Sequence, residues 1–132
     1  MAKYSTAIRN SRMSVLQTAV QGGSLKLCSG AVPSSLAVPA AGVILSEHSI
    51  DGSAGTVTSG TLSLSDSDVG EDSAANNTGA ITYAVVVKSG VAVAQWAVPS
   101  EASVSINGGA GQQITQGLPV DVDSLTVIEG NA

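Results

Sequence analysis

The sequence predicts an all-β protein: an antiparallel β-sandwich of about seven or eight strands, jelly-roll-like, with one N-terminal helix. Three observations predict it. After Gly23, short runs of β-branched and other apolar residues alternate with clusters of Gly, Ser, Asn, Asp and Pro. One N-terminal segment lacks Gly and Pro and has helical periodicity. The chain has 132 residues, the usual size of one domain, and no linker divides its β region.

The N-terminal segment predicts a helix from Ser5 to Gln21. Ser5 is a suitable N-cap, and the Gly-Gly pair after Gln21 supplies a left-handed stop. The apolar side chains close to one helical face are Ile8, Val15, Leu16, Ala19 and Val20. We assign residues 1–22 to an N-terminal arm and helix, and residues 23–132 to the β-sandwich domain.

The strands that follow are predicted from strict alternation of apolar and polar residues, or from β-branched runs bounded by turn residues. The predicted strands are 24–29, 42–49, 60–65, 80–88, 91–98, 103–106 and 119–128. The pair 80–88 and 91–98 predicts the clearest hairpin, because a two-residue Ser-Gly turn separates two strong strands. The nearly continuous apolarity of 80–88 predicts a central strand covered on both faces.

Trp96 is the only tryptophan of a chain that has two tyrosines and no phenylalanine. Large aromatic side chains contribute most to cores and interfaces, so Trp96 has two interpretations. It fills core volume that phenylalanine would otherwise fill, or it anchors an interface. A core with so few aromatic residues predicts an isolated protomer of modest stability, to which a docked partner would add.

The charges are sparse and unevenly placed. Charged residues make up 11% of the chain, and the net charge is −5, which disfavours a nucleic-acid partner. Three of the five basic residues, Lys3, Arg9 and Arg12, lie in the N-terminal arm, and no acidic residue precedes Glu47. These three residues are candidate interface residues for an acidic neighbour, which includes another copy of the chain. The alternative is a solvated terminus.

The sequence contains no recognisable catalytic or metal-binding motif. It has one histidine, His48, and one cysteine, Cys28, so the usual zinc ligand sets cannot be assembled. It has no nucleophile elbow, phosphate loop or dinucleotide fingerprint. We therefore predict a protein that is not an enzyme, with no catalytic residue, cofactor or metal. His48 is expected to be a surface or satisfied structural histidine, and Cys28 a buried, inert thiol.

Residues 66–72 form an acidic loop. Its carboxylates could offer oxygen ligands to calcium. They are Asp66, Asp68, Glu71 and Asp72. The loop lacks the spacing of the calcium-binding helix-loop-helix motif, so a polar surface loop is the preferred interpretation and ion binding stays open.

The N-terminus lacks the apolar core of a signal peptide, and no apolar run approaches about 18 residues. We expect a soluble protein made in a cytoplasm, without a membrane partner.

The order of turn and strand motifs resembles a known protein family. The segments that carry the resemblance are Gly-Gly-x-Leu-Lys-Leu-x-x-Gly-x-x-Pro at 22–33, Gly-Val-Ile-Leu at 42–45, Thr-Gly-Ala at 78–80, Ser-Gly at 89–90, Gln-Gly-x-Pro-Val at 116–120 and Leu-Thr-Val-Ile at 125–128. The chain is similar to small β-sandwich virion proteins of tailed bacteriophages. It departs from them at Cys28 and Ser29, where the family usually has Tyr-Thr. The motifs are structural turns and span nearly the whole chain.

The resemblance implies a jelly-roll-like cement or decoration protein. Such a protein binds the major capsid protein on the outer shell as a homo-oligomer, a dimer or trimer, after synthesis in the host cytoplasm. It has no catalytic residues to carry over. Two alternatives remain: a tail, neck or fibre-associated β module, and, more remotely, a carbohydrate-binding module, which three aromatic residues in the whole chain disfavour.

Overall fold

The computed structural model describes residues 3–109 and 112–128, and only the backbone of Ile128. Its elements are α1 (Thr6–Val20), β1 (Ser24–Cys28), β2 (Ile44–Ser49), β3 (Thr56–Thr58), β4 (Thr61–Ser65), β5 (Gly79–Ala80), β6 (Tyr83–Lys88), β7 (Val91–Ala97), β8 (Ala102–Ile106), β9 (Gln113–Ile114) and β10 (Val122–Ile128). Short 3-10 turns lie at Ala41–Val43 and Asp66–Asp68.

Two four-stranded antiparallel sheets form the body of the molecule. We call them the first sheet, with strand order β2-β1-β6-β7, and the second sheet, with order β3-β4-β10-β8. A two-stranded ladder joins β5 to β9. The predicted antiparallel β-sandwich with one N-terminal helix is confirmed. The sequence did not predict β3, β5 and β9, because segments of two or three residues are too short to show a periodicity.

The core lies between the sheets and consists mainly of aliphatic side chains. Leucines of both sheets are almost fully buried there: Leu25, Leu27, Leu62, Leu64 and Leu125. These residues alternate along their strands with polar residues that point away from the core, as expected of half-buried strands. The lean aliphatic core that the composition predicts is therefore present.

A β-bulge changes the alternation on β7. Uniform alternation predicts Ala92, Ala94 and Trp96 on one face. In the structure, Ala94 and Trp96 lie in the core, whereas Ala92 packs on the outer side of the first sheet. The register between β6 and β7 shifts between Val86 and Val87, so β7 carries one extra residue at this point. The predicted orientation of Ala92 is therefore wrong.

Two hairpins share the same turn chemistry. Ser89 and Gly90 join β6 to β7 with φ values of 54° and 78°, which is the left-handed pair of a type I′ turn. The predicted hairpin is thus confirmed. Ser59 and Gly60 join β3 to β4 in the same way, with φ values of 52° and 75°. The Ser-Gly dipeptide signals both turns.

Helix α1 is docked along β3 at the edge of the second sheet. Its N-cap is Ser5, as predicted, and the side chain of Gln17 donates to the carbonyls of Ala54 (3.2 Å) and Gly55 (2.8 Å). Nearer the other end, the amide of Gly60 donates to Oδ1 of Asn10 at 2.7 Å. These contacts fix the helix to the sandwich over most of its length.

The buried face of α1 differs from the predicted one. Met13 and Val20 are buried and Leu16 is partly buried, whereas Ile8 and Val15 are 48% and 72% exposed. The reason is that polar side chains on the inner face anchor the helix by hydrogen bonds to loop backbone, as described above. An analysis of apolar periodicity does not count such contacts. The predicted inward orientation of Ile8 and Val15 is wrong.

Candidate interaction surfaces

The three basic residues predicted for an interface lie on a docked helix and its N-terminal approach. Lys3 is exposed. Arg9 is half-buried, and its side chain packs against Gly60 in the β3–β4 turn. The packing is close, since a Cβ atom added to Gly60 would lie 3.2 Å from Nη1 of Arg9. The guanidinium of Arg12 lies 4.9 Å from the centre of the Tyr4 ring, a cation–π geometry, and Arg12 is exposed. The structure therefore brings the three cations to one end of the molecule.

The outward side of α1 carries an apolar stripe. Tyr4, Ile8 and Val15 are 45%, 48% and 72% exposed. At 100° per residue, Ile8 and Val15 fall within a narrow arc on the opposite side of the helix from Met13 and Val20, and Tyr4 precedes the N-cap Ser5. The stripe is therefore not used by the protomer's own core.

Trp96 belongs to the core. It is 8% exposed and lies in the main hydrophobic cluster with Ala94 and Val98. This is the first of the two interpretations open for it, and a side chain so covered offers almost no surface to a partner. Trp96 therefore does not enter the surfaces proposed below.

The carboxylates of the acidic loop are of two kinds: two accept hydrogen bonds from backbone amides, and the other two are exposed. Asp68 accepts from the amide of Ser65 at 2.8 Å, and Asp72 accepts from the amide of Glu47 at 2.9 Å. Among residues 3–109 and 112–128, no group of three or more possible ligands could hold a metal ion.

The remaining carboxylates of this region form a cluster with the start of β10. A hydrogen bond with Asp66 raises the pKa of Asp121, and the charges of Asp66, Asp123 and Glu71 act in the same direction. Asp66, Asp123 and Glu71 thus lie close enough to Asp121 to disfavour its charged form.

His48 is a buried structural residue. It is 2% exposed. Its Nδ1 lies 2.7 Å from the carbonyl of Gly70 and must donate, since a carbonyl can only accept. Nε2 then accepts from the hydroxyl of Ser46 at 2.9 Å. Burial lowers the pKa of His48 below its usual 6.5. Both ring nitrogens of the neutral form are therefore satisfied.

This environment predicts a loss of stability in mild acid. Below pH about 6.5 the unfolded chain binds a proton at His48 that the folded chain does not, so the free energy of unfolding falls as the pH falls. The slope approaches about 1.4 kcal/mol per pH unit. Urea unfolding between pH 7.5 and 5.5 measures it. His48→Gln, which cannot titrate, is expected to show a much flatter dependence, and an equal slope in both proteins would exclude His48 as its source.

The outer side of the first sheet carries a second, smaller apolar cluster. Its buried members are Cys28, Ile44, Tyr83 and Val85. Burial raises the pKa of the Cys28 thiol to about 11, so the thiol stays protonated, as predicted for a buried, inert cysteine.

The segment 30–40 is a loop associated with this outer side. The side-chain amide of Gln95 donates to the carbonyl of Pro33 at 3.0 Å, and the hydroxyl of Thr82 donates to that of Gly30 at 2.8 Å. These bonds tether the loop to β7 and to the residue that precedes β6.

The loop presents apolar side chains to solvent. Val32, Leu36 and Val38 are 44%, 51% and 52% exposed. No charged residue occurs between Lys26 and Glu47, so nothing in the loop itself offsets this apolar surface. We call these three side chains and their loop the apolar loop face. This segment falls between the predicted strands 24–29 and 42–49, and its lack of charge and its two prolines, Pro33 and Pro39, are visible in the sequence.

The outer side of the second sheet has the opposite character. Its hydroxyl side chains pair across strands in register, Ser63 with Thr126 and Ser65 with Ser124, for example. The side chains on this face are Thr56, Thr58, Thr61, Ser63, Ser65, Ser103, Ser105, Ser124 and Thr126. We call this the hydroxyl face. The two outer sides of the sandwich therefore differ in chemistry. The outer side of the first sheet carries the second apolar cluster and the apolar loop face beside one ion pair, Lys26–Glu47, whereas the strand side chains on the outer side of the second sheet are uncharged hydroxyl groups.

Comparisons with protein-family models, curated proteins and solved structures find no match for this chain. Within the described residues, no helix has the length and apolar character required to cross a bilayer.

Proposed function

We propose that this chain is a structural virion protein that decorates the capsid of a tailed bacteriophage. In this role it binds the major capsid protein on the outer shell and stabilises the shell by bridging neighbouring subunits. The observation that supports the proposal best is the difference between the two outer sides of the sandwich. The apolar loop face suits contact with protein, and the hydroxyl face suits contact with water.

The apolar loop face can supply a modest affinity per copy. Complete burial of a valine or leucine side chain is worth about 1.5–3 kcal/mol, and Val32, Leu36 and Val38 each keep about half of their surface exposed. Two prolines, Pro33 and Pro39, restrict the loop and lower the conformational entropy lost on docking. A contact of this strength is sufficient on a shell that repeats the same site, because bridging contacts act together.

The hydroxyl face suits the outward side of a shell-bound protein. Serine and threonine side chains keep a sheet hydrated without adding charge, and their β-branched members favour strand geometry. Two of the four edge strands of these sheets, β2 and β8, have carbonyl groups that accept hydrogen bonds from neighbouring loops. The carbonyl of Leu45 on β2 accepts from the amides of Asn76 (2.8 Å) and Asn77 (3.4 Å), and that of Val104 on β8 accepts from Gln112 (2.7 Å). Such covering opposes unwanted edge pairing between crowded copies.

Co-sedimentation tests the proposal. The purified chain is mixed with capsid shells that lack accessory proteins and, separately, with isolated tails from the same phage. We expect the chain to pellet with the shells at a stoichiometry of hundreds of copies per particle. Pelleting with tails alone, in a small fixed number, would replace decoration by the tail or neck role. Pelleting with neither would overturn the virion assignment.

A further inference from the structure

The basic and acidic residues near α1 are concentrated towards opposite ends of the helix, although Lys88 donates to the carbonyl of Thr18 close to its C-terminal end. We define the basic end as Lys3, Arg9 and Arg12, at the N-terminal end of α1, where Arg9 packs against Gly60 of the β3–β4 turn. We define the acidic end as Asp66, Glu71, Asp121 and Asp123. Asp66 directly follows β4, and Asp121 and Asp123 lie at the start of β10, where Ser65 pairs with Ser124. Asp51 adds to the acidic end, because its amide donates to the carbonyl of Asp68 at 2.9 Å.

The basic end and the acidic end lie at opposite ends of strand β4 in the second sheet. Strand β4 begins after Gly60, which contacts Arg9, and ends before Asp66. At about 3.4 Å per residue these two ends are about 20 Å apart. The dipole of α1 has the same direction: its positive N-terminus lies at the basic end, and Gly22, after its C-terminus, donates to the carbonyl of Asp51.

Each end also carries exposed apolar side chains. The basic end includes Tyr4 and Ile8 of the outward stripe, which are 45% and 48% exposed. Leu118, three residues before Asp121 in the sequence, is 56% exposed. The two ends are opposite in charge.

We propose that the basic end of one copy docks on the acidic end of a second copy, so that protomers associate head-to-tail. A second copy is the occupant because one chain carries both complementary surfaces. A symmetric pairing of two basic ends would bring cations together, and a symmetric pairing of two acidic ends would bring carboxylates together. Head-to-tail contacts are heterologous and close into a ring or continue as a filament. This contact does not depend on the proposed capsid role. Either proposal can be wrong while the other holds.

Two charge reversals and their mixture test the inference. Sedimentation velocity of the full chain is expected to show a concentration-dependent oligomer that weakens as salt rises. Arg12→Glu reverses the basic end and Asp121→Lys reverses the acidic end, and each variant alone is expected to be a monomer. Mixed in equal amounts, they are expected to associate again, because each retains the native surface that the other lacks.

Matched controls make the result specific. Lys88→Glu and Glu101→Lys carry the same changes in net charge at residues that belong to neither defined end. Each removes one hydrogen bond to the backbone, from Lys88 to the carbonyl of Thr18 and from the amide of Ala97 to Glu101, and both variants are expected to keep the wild-type oligomer. Circular dichroism melting verifies that every variant is folded. A wild-type chain that is monomeric up to millimolar concentration would overturn the inference. So would single variants that associate like the wild type, or a mixture that stays monomeric.

Discussion

Replacing Trp96 by alanine is expected to lower the free energy of unfolding by about 3–5 kcal/mol. Trp96 is 8% exposed on β7 and is the single tryptophan of a core otherwise built mainly from aliphatic side chains. Its removal leaves a cavity that neighbours such as Ala94 and Val98 are too small to fill. The total free energy of unfolding of a domain of this size is about 5–15 kcal/mol, so the substitution removes a large part of it. Urea unfolding of the two proteins measures the difference.

Val91→Ala on the same strand is the matched control. Val91 is 61% exposed, so its truncation is expected to change the free energy of unfolding by about 0.5 kcal/mol or less. A Trp96→Ala protein as stable as the control would contradict the core assignment. It would return Trp96 to the interface role that the sequence left open.

The second large effect is expected at the apolar loop face. Leu36→Asp is expected to weaken binding to capsid shells at least about tenfold, which corresponds to about 1.4 kcal/mol. The substitution removes a side chain that is 51% exposed in the free protomer and places a charge where the partner would exclude water. A binding isotherm from co-sedimentation at fixed shell concentration measures the change. The fold should be unaffected, because the site is exposed.

Thr58→Asp is the control for this substitution. It introduces the same charge on the hydroxyl face, where Thr58 is exposed, and is expected to leave shell binding within about twofold of the wild type. If Thr58→Asp weakens binding and Leu36→Asp does not, the hydroxyl face and not the apolar loop face binds the shell.

The architecture was largely predictable, because strand signals are local. Alternation, or a β-branched apolar run in the case of β6, marked the seven longer strands, and the Ser-Gly dipeptide marked the β6–β7 turn. Pairing irregularities were not predictable: the bulge at Val86 and Val87, which reorients Ala92, depends on contacts with the neighbouring strand. The inner face of α1 was mistaken for a similar reason, because Gln17 and Asn10 bind backbone groups more than 35 residues away in sequence.

The interaction surfaces were predictable only in part. The basic residues were visible as a cluster in the sequence, but their position beside the β3–β4 turn depends on the docking of α1. The carboxylates that gather around Asp121 come from two segments that are distant in sequence, so the fold alone brings them together. Apolar periodicity does not single out Leu36, because Leu36 lies in a loop. The signal that the sequence does offer is the run without charged residues around it.

Hydrogen–deuterium exchange of the chain, free and bound to capsid shells, tests most directly the central claim that the apolar loop face docks on a larger assembly. The account predicts that backbone amides of residues 30–40 exchange more slowly in the bound state. The backbone amides of β8, the edge strand of the hydroxyl face, should exchange at the same rate in both states. Protection confined to β8, with residues 30–40 unchanged, would contradict it.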